Sequence, residues 1–173
     1  AIQPKLVTLG ASMTLFQFPI REMADIIAEW GGKIYFDGAH QLGLIGAGYF
    51  QDPLKEGAAI ITGSAGKTFS GPQSGIILWD NPEFTEGITN TIFPALAATH
   101  QVNRVAALAV AAAEFIEFGE EYMGQIIKNA KALAKGLHER GIGVLGDHKG
   151  YTETHQVIAN VGDFGGGYEV ANR

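Results

Sequence analysis

Apolar residues recur along this chain in two rhythms. Short continuous apolar runs, closed by glycine or a small polar residue, alternate with longer stretches whose apolar positions return every three or four residues. The first rhythm predicts strands buried on both faces and the second predicts amphipathic helices. Lys5-Leu6-Val7-Thr8-Leu9 reads as a strand ending in the turn Gly10-Ala11-Ser12. Residues 19–30 read as a helix: Pro19 suits its first turn, Met23, Ile26, Ile27 and Trp30 share one stripe, and Gly31-Gly32 stops it. Residues 34–36 form a short buried strand, 41–52 an irregular glycine-rich connection, and 58–62 the next strand. Another strand spans 75–79, between Gly71-Pro72 and Asp80-Asn81-Pro82.

The second half is helical. Residues 99–118 include the alanine-rich run from Ala106 to Ala113 and are apolar almost all round, which implies burial on more than one side. A separate helix is expected over 119–139, with Tyr122, Ile126, Ala130, Leu133 and Leu137 on its core face and Gly141 as its stop. Residues 143–145 and 155–159 read as late strands, and nothing after Gly165-Gly166-Gly167 reads as a closing element. Alternating strands and helices predict an α/β fold, a three-layer αβα sandwich with a mainly parallel sheet. The expected division is 1–145 as a large domain and 146–173 as the start of a smaller C-terminal one. The chain begins at Ala1, and it reads as a segment of a longer polypeptide.

Composition narrows the picture. Charged residues make up 17% of the 173 residues and hydrophobic ones 46%, so much of the chain should be buried. The 24 glycines gather at strand ends. Cysteine is absent, which removes disulfides and thiolate metal sites. A net charge of −6 argues against nucleic acid or an anionic membrane as the partner. No stretch reaches the roughly 18 uninterrupted apolar residues of a membrane span, and no secretory signal is legible. A cytoplasmic protein is the expectation. The five histidines are scattered, and no metal centre is expected.

The candidate chemistry lies at strand ends, where parallel sheets bind ligands. Lys67 stands in Gly63-Ser64-Ala65-Gly66-Lys67-Thr68, directly after an apolar run, and is the only lysine between Lys55 and Lys128. Its flanks are small or hydroxylic, which suits an amine held beside a ligand and able to act as a nucleophile. Asp37 closes the run Ile34-Tyr35-Phe36. A strand-end lysine and a strand-end carboxylate match the needs of pyridoxal 5′-phosphate, whose aldehyde condenses with an amine and whose ring nitrogen pairs with an acid. Ser12, Ser64, Thr62 and Thr68 are the candidate hydroxyls around it. Gly66-Lys67-Thr68 also resembles the end of a phosphate loop, but the glycine required at position 61 is Ile61, and Phe69-Ser70-Gly71-Pro72 is a poor helix start.

Tyr35-Phe36-Asp37-Gly38-Ala39-His40-Gln41-Leu42-Gly43-Leu44 resembles the Asp-x-Ala-His-x-x-Gly-Leu segment of serine hydroxymethyltransferases. Thr62 to Gly75 resembles the same family's lysine segment, and Phe93-Pro94, the alanine-rich helix and Lys128-Asn129-Ala130-Lys131-Ala132-Leu133 resemble the stretches that follow. The resemblance implies the aspartate-aminotransferase-like (fold type I) architecture and pyridoxal phosphate as cofactor. It implies Lys67 as the Schiff-base lysine, Asp37 on the pyridine nitrogen, and His40 near the phenolate side and the substrate. Ser12 would contact the ring oxygen, and Ser64 keeps the hydroxyl of a family threonine. Ala97-Ala98 stand where the family has a glycine pair that serves the cofactor phosphate across a subunit interface. Gly66 replaces a family histidine, and Gln73 a family arginine.

The implied reaction is reversible Cα–Cβ cleavage of a β-hydroxy amino acid such as serine, with one-carbon transfer to a folate carrier, in a homodimer with its active site at the interface. The alternatives are an aldolase or another amino-acid lyase or transferase of the same fold, and a catalytically incomplete segment that serves dimerisation.

Overall fold

A computed structural model describes residues 2–173; Ala1 lies outside. Four strands form one sheet in sequence order: β1 (Leu6–Leu9), β2 (Lys33–Asp37), β3 (Ile60–Ser64) and β4 (Gly75–Leu78). β1, β2 and β3 run parallel, while β4 returns antiparallel to β3. The register pairs Phe36 with Ile61 and Asp37 with Thr62, so the carboxyl ends of β2 and β3 finish side by side. That places the Asp37 and Lys67 loops on the same edge of the sheet.

One face of the sheet is dry. Ile34, Phe36 and Ile61 point into a core shared with Ile20 and Ile27 of α1 (Ile20–Ala28), with Leu44 of α2 (Leu42–Gly46), and with Met123 of α4 (Val102–His138). Period-two alternation sends Tyr35 and Thr62 to the other face, where the Tyr35 hydroxyl and Thr62 Oγ1 lie 2.6 Å apart. That face carries α3 (Thr85–Asn90) and its flanking turns, which leave an apolar groove of about 540 Å³ floored by Leu6, Ile60 and Ile77.

Five sequence expectations change. Residues 41–52 are not wholly irregular, because α2 packs one turn of helix into the core through Leu42 and Leu44. The two expected helices are one, the 37-residue α4. The boundary expected between 118 and 119 falls at Gly119, but a helical glycine costs only about 1 kcal/mol. Burial of Gly119 beside the Phe115 ring, and of Gly124 beside the Tyr49 hydroxyl, carries the helix through. The expected burial of 99–118 on several sides is not seen: Val102, Val105, Val110, Ile116 and Phe118 are all more than half exposed. Phe115 packs against the core from the first half of α4, and the helix's buried residues begin at Gly119. The late strands shrink to a single bridge between Val144 and Ala159. Gly141 and Gly146, both with positive φ, turn the chain on either side before a ladder can grow. The end of the chain does carry an element, the short helix α5 (Gly167–Ala171).

Gly43 is a tight fit near the strand ends. A Cβ there would collide with the Thr68 carbonyl. Gly43→Ala is therefore expected to lower the unfolding free energy by about 2 kcal/mol or more. Urea unfolding checks this, and a loss below about 0.5 kcal/mol would mean that α2 does not press on the Lys67 turn.

Candidate active site

Lys67 projects from the turn that joins β3 to β4. The turn is closed by backbone hydrogen bonds from Gly71 N to Ala65 O (2.7 Å), Ser70 N to Lys67 O (2.9 Å) and Ala65 N to Ser74 O (2.9 Å). Thr68, next to the lysine, is buried and locks the turn to the neighbouring loop. Its Oγ1 donates to His40 O at 2.8 Å and accepts from Gly43 N at 3.0 Å. One hydroxyl thereby satisfies two backbone groups and sets His40 beside Lys67.

The result is a contact of 3.1 Å between Lys67 Nζ and His40 Nε2. A charged lysine has only donors, so Nε2 accepts, and the imidazole proton then sits on Nδ1. Burial lowers the proton affinity of His40; Lys67 lowers it further, and the Asp37 carboxylate partly offsets both. Asp37 Oδ1 accepts from Ala39 N at 3.0 Å, which folds the chain after β2 back over the carboxylate. Asp37 makes no salt bridge among the described residues. Gly10, with φ +110°, lets β1 end against the Asp37 carbonyl, where a Cβ would collide.

The remaining expected residues are distributed unevenly. Ser64 ends β3 and lines a cavity with Lys67. The Ser12 side chain is exposed, and its carbonyl accepts from Gln156 Nε2 at 2.6 Å. Ala97 and Ala98 are exposed on the segment before α4 and do not line the cavity at Lys67. Thr62 is occupied with Tyr35 on the sheet's open face.

Two residues enter that the sequence did not single out. His155 arrives from the far end of the chain and stacks on His40, with centroids 5.9 Å apart and rings 8° from parallel. It is delivered by hydrogen bonds between residues 153–156 and 12–15: Glu153 N to Leu15 O (2.8 Å), Thr154 Oγ1 to Thr14 O (2.7 Å) and Thr14 N to Gln156 Oε1 (2.7 Å). Burial, and then His40, lower its proton affinity, and its Nδ1 has no partner among the described residues. Arg104, in the first turn of α4, donates to Gln73 O at 3.0 Å and joins the wall of the Lys67 cavity. No local sequence signal announces either one; both meet the site only through tertiary contacts.

With this geometry in place, the comparisons with known proteins are decisive. The model of the family described as serine hydroxymethyltransferase matches residues 1–169. The chain belongs to the serine hydroxymethyltransferase family. It is 46% identical over 172 residues to a serine hydroxymethyltransferase of Methanopyrus kandleri, covering 99% of this chain and 40% of that protein. It is 50% identical over 163 residues to one of Methanosphaera stadtmanae, covering 94% and 38%. Among solved structures it resembles the L-threonine transaldolase from Pseudomonas fluorescens in its internal aldimine state, with a TM-score of 0.84 and 34% identity over 91% of this chain and 36% of that one. The chain thus spans about 40% of the length of the curated relatives it matches. The transaldolase match supports the aspartate-aminotransferase-like fold that the family resemblance implied.

The paired histidines set a pH dependence. Each binds protons less readily in the folded chain than in the unfolded one, so below about pH 6.5 the unfolded state takes up more protons and stability falls. The thermal midpoint is expected to drop between about pH 7.5 and 5.5, a window in which carboxylates barely titrate. His155→Phe keeps a stacking ring without a titratable nitrogen and should remove part of that drop. Calorimetry across the window checks this, and an identical slope in the variant would refute the contribution of His155.

Proposed function

We propose that the protein acts as a pyridoxal-phosphate enzyme of the serine hydroxymethyltransferase type, cleaving and re-forming the Cα–Cβ bond of a β-hydroxy amino acid such as serine. The observation that carries this reading is the cluster at the adjacent ends of β2 and β3, where the Lys67 amine touches His40 and the Asp37 carboxylate acts on the same imidazole. These residues fit the cofactor's needs: an amine for its aldehyde, an acid without a salt-bridge partner for its ring nitrogen, and a hydroxyl at Ser64. Pyridoxal phosphate, when bound, supplies an electron sink for a carbanion at the substrate Cα.

The chain's own residues would do the rest. Lys67 holds the cofactor through its amine and exchanges places with the substrate amine. His40, kept neutral by burial and by Lys67, offers the Nε2 lone pair to the Lys67 proton and so frees the amine as a nucleophile. Thr68 fixes the distance between them. Asp37, held by Ala39 N, keeps the ring nitrogen protonated. His155 stacks on the face of the His40 ring and limits its rotation, while Lys67 meets the ring at its Nε2 edge.

Folate as the one-carbon acceptor, a cytoplasmic location, and a homodimer closing on the exposed apolar first half of α4 belong to the same reading, as does the division into 1–145 and 146–173. Exposure of Val102, Val105 and Ile116 supports the dimer. Likeness to a threonine transaldolase makes threonine cleavage without folate the second reading, and serine and threonine are to be assayed side by side with and without a folate carrier.

Mixing the protein with pyridoxal phosphate is expected to produce the visible absorbance of a lysine-bound cofactor, and Lys67→Ala to abolish it. A band that survives in the variant would overturn the assignment of Lys67. Asp37→Ala is expected to weaken cofactor binding and to cut turnover about a hundredfold or more; full activity in that variant would refute its pairing with the ring.

A further inference from the structure

Beside Lys67 lies a cavity of about 430 Å³ whose wall includes Ser64, Gly66, Lys67, Gln73, Ser74 and Arg104. Its lining carries two cationic side chains and no carboxylate, in a chain whose net charge is −6. Gly66 presents no side chain, so the space reaches the backbone next to the lysine. The Ser64 hydroxyl makes no hydrogen bond among the described residues and is free to donate into it.

Arg104 is the unusual member. It sits in the first turn of α4, where the positive end of the helix dipole disfavours a cation, and no acidic residue stands in that turn to offset it. One N–H binds Gln73 O at 3.0 Å and fixes the plane of the guanidinium. Among the described residues the other four donors have no hydrogen-bond partner and the side chain has no salt bridge. Arg104 is exposed, so in the chain alone its free donors meet only water. An arginine that binds an oxyanion would gain a partner for its remaining donors, and that anion would also be favoured by the helix terminus and by Lys67.

We propose that this cavity is an oxyanion subsite with Arg104 as its recognition residue. The shared chemistry is a phosphate or carboxylate group gripped by the guanidinium fork and the Ser64 hydroxyl. Naming its source rests on the proposed function: either the phosphate monoester of the cofactor or the carboxylate of the amino-acid substrate. The existence of the subsite does not rest on that reading.

The test compares the wild-type protein with Arg104→Met and Arg104→Lys. Half-saturation is measured by visible absorbance for pyridoxal phosphate and for pyridoxal, which lacks the phosphate, and then for serine added to the loaded protein. Calorimetry measures binding of inorganic phosphate to the cofactor-free protein. If the anion is the cofactor's phosphate, Arg104→Met weakens pyridoxal phosphate roughly ten- to hundredfold, leaves pyridoxal unchanged, and Arg104→Lys restores part of the loss. If the anion is the substrate's carboxylate, both aldehydes bind as before and serine weakens by a similar factor. Equal weakening of both aldehydes would overturn the proposal, because Arg104 would then act only by bracing the turn through Gln73. Changes below about twofold in every titration would also overturn it. Failure of the wild type to bind either aldehyde would instead count against the cofactor reading. Inorganic phosphate would then decide the subsite: binding that is lost in Arg104→Met supports it, and no binding to the wild type overturns it.

Discussion

A single hydroxyl organises the site. Thr68 Oγ1 spends its proton on the His40 carbonyl and its lone pair on the Gly43 amide, in a buried setting where either group left unpaired would cost free energy. The two loops that leave β2 and β3 are thereby held at one fixed spacing. The approach is close enough that only glycine fits at position 43. The 3.1 Å contact between Lys67 and His40 follows from this clamp rather than from the weak attraction between an exposed amine and a neutral ring.

Electrostatics then act on geometry already set. His40 faces Lys67 on one side, has His155 stacked on its ring, and feels the Asp37 carboxylate. Burial and the neighbouring amine outweigh the carboxylate, so the imidazole is held in the neutral form that can accept a proton. The segment that supplies His155 is stitched to residues 12–15 by its own hydrogen bonds, which also carry the end of β1 toward the site. Three stretches remote in sequence therefore share one electrostatic environment.

The open surfaces fit the share of the relatives that this chain spans. Along the first half of α4 the apolar side chains face outward, and the sheet face that carries Tyr35 and Thr62 is only partly covered. Exposed apolar patches of this kind mark contact surfaces in water-soluble proteins.

Local sequence was enough for the α/β alternation, the strand-end positions of Asp37 and Lys67, and the family resemblance. Buried parallel strands must be continuous apolar runs, and the turns that leave them toward a ligand need small residues; both leave marks a few residues long. The same local logic divided α4 between residues 118 and 119, although the Phe115 ring packs over Gly119 and the helix runs through. It could not find His155 or Arg104. Their partners lie 115 and 31 residues away (155 − 40 and 104 − 73), and a contact across such spans is decided by how strands register and loops cross, which no short window encodes. The residue types that could react were therefore written in the chain, whereas their mutual distances, the proton placement on His40 and the cationic cavity beside Lys67 arose only when the sheet brought its loop ends together.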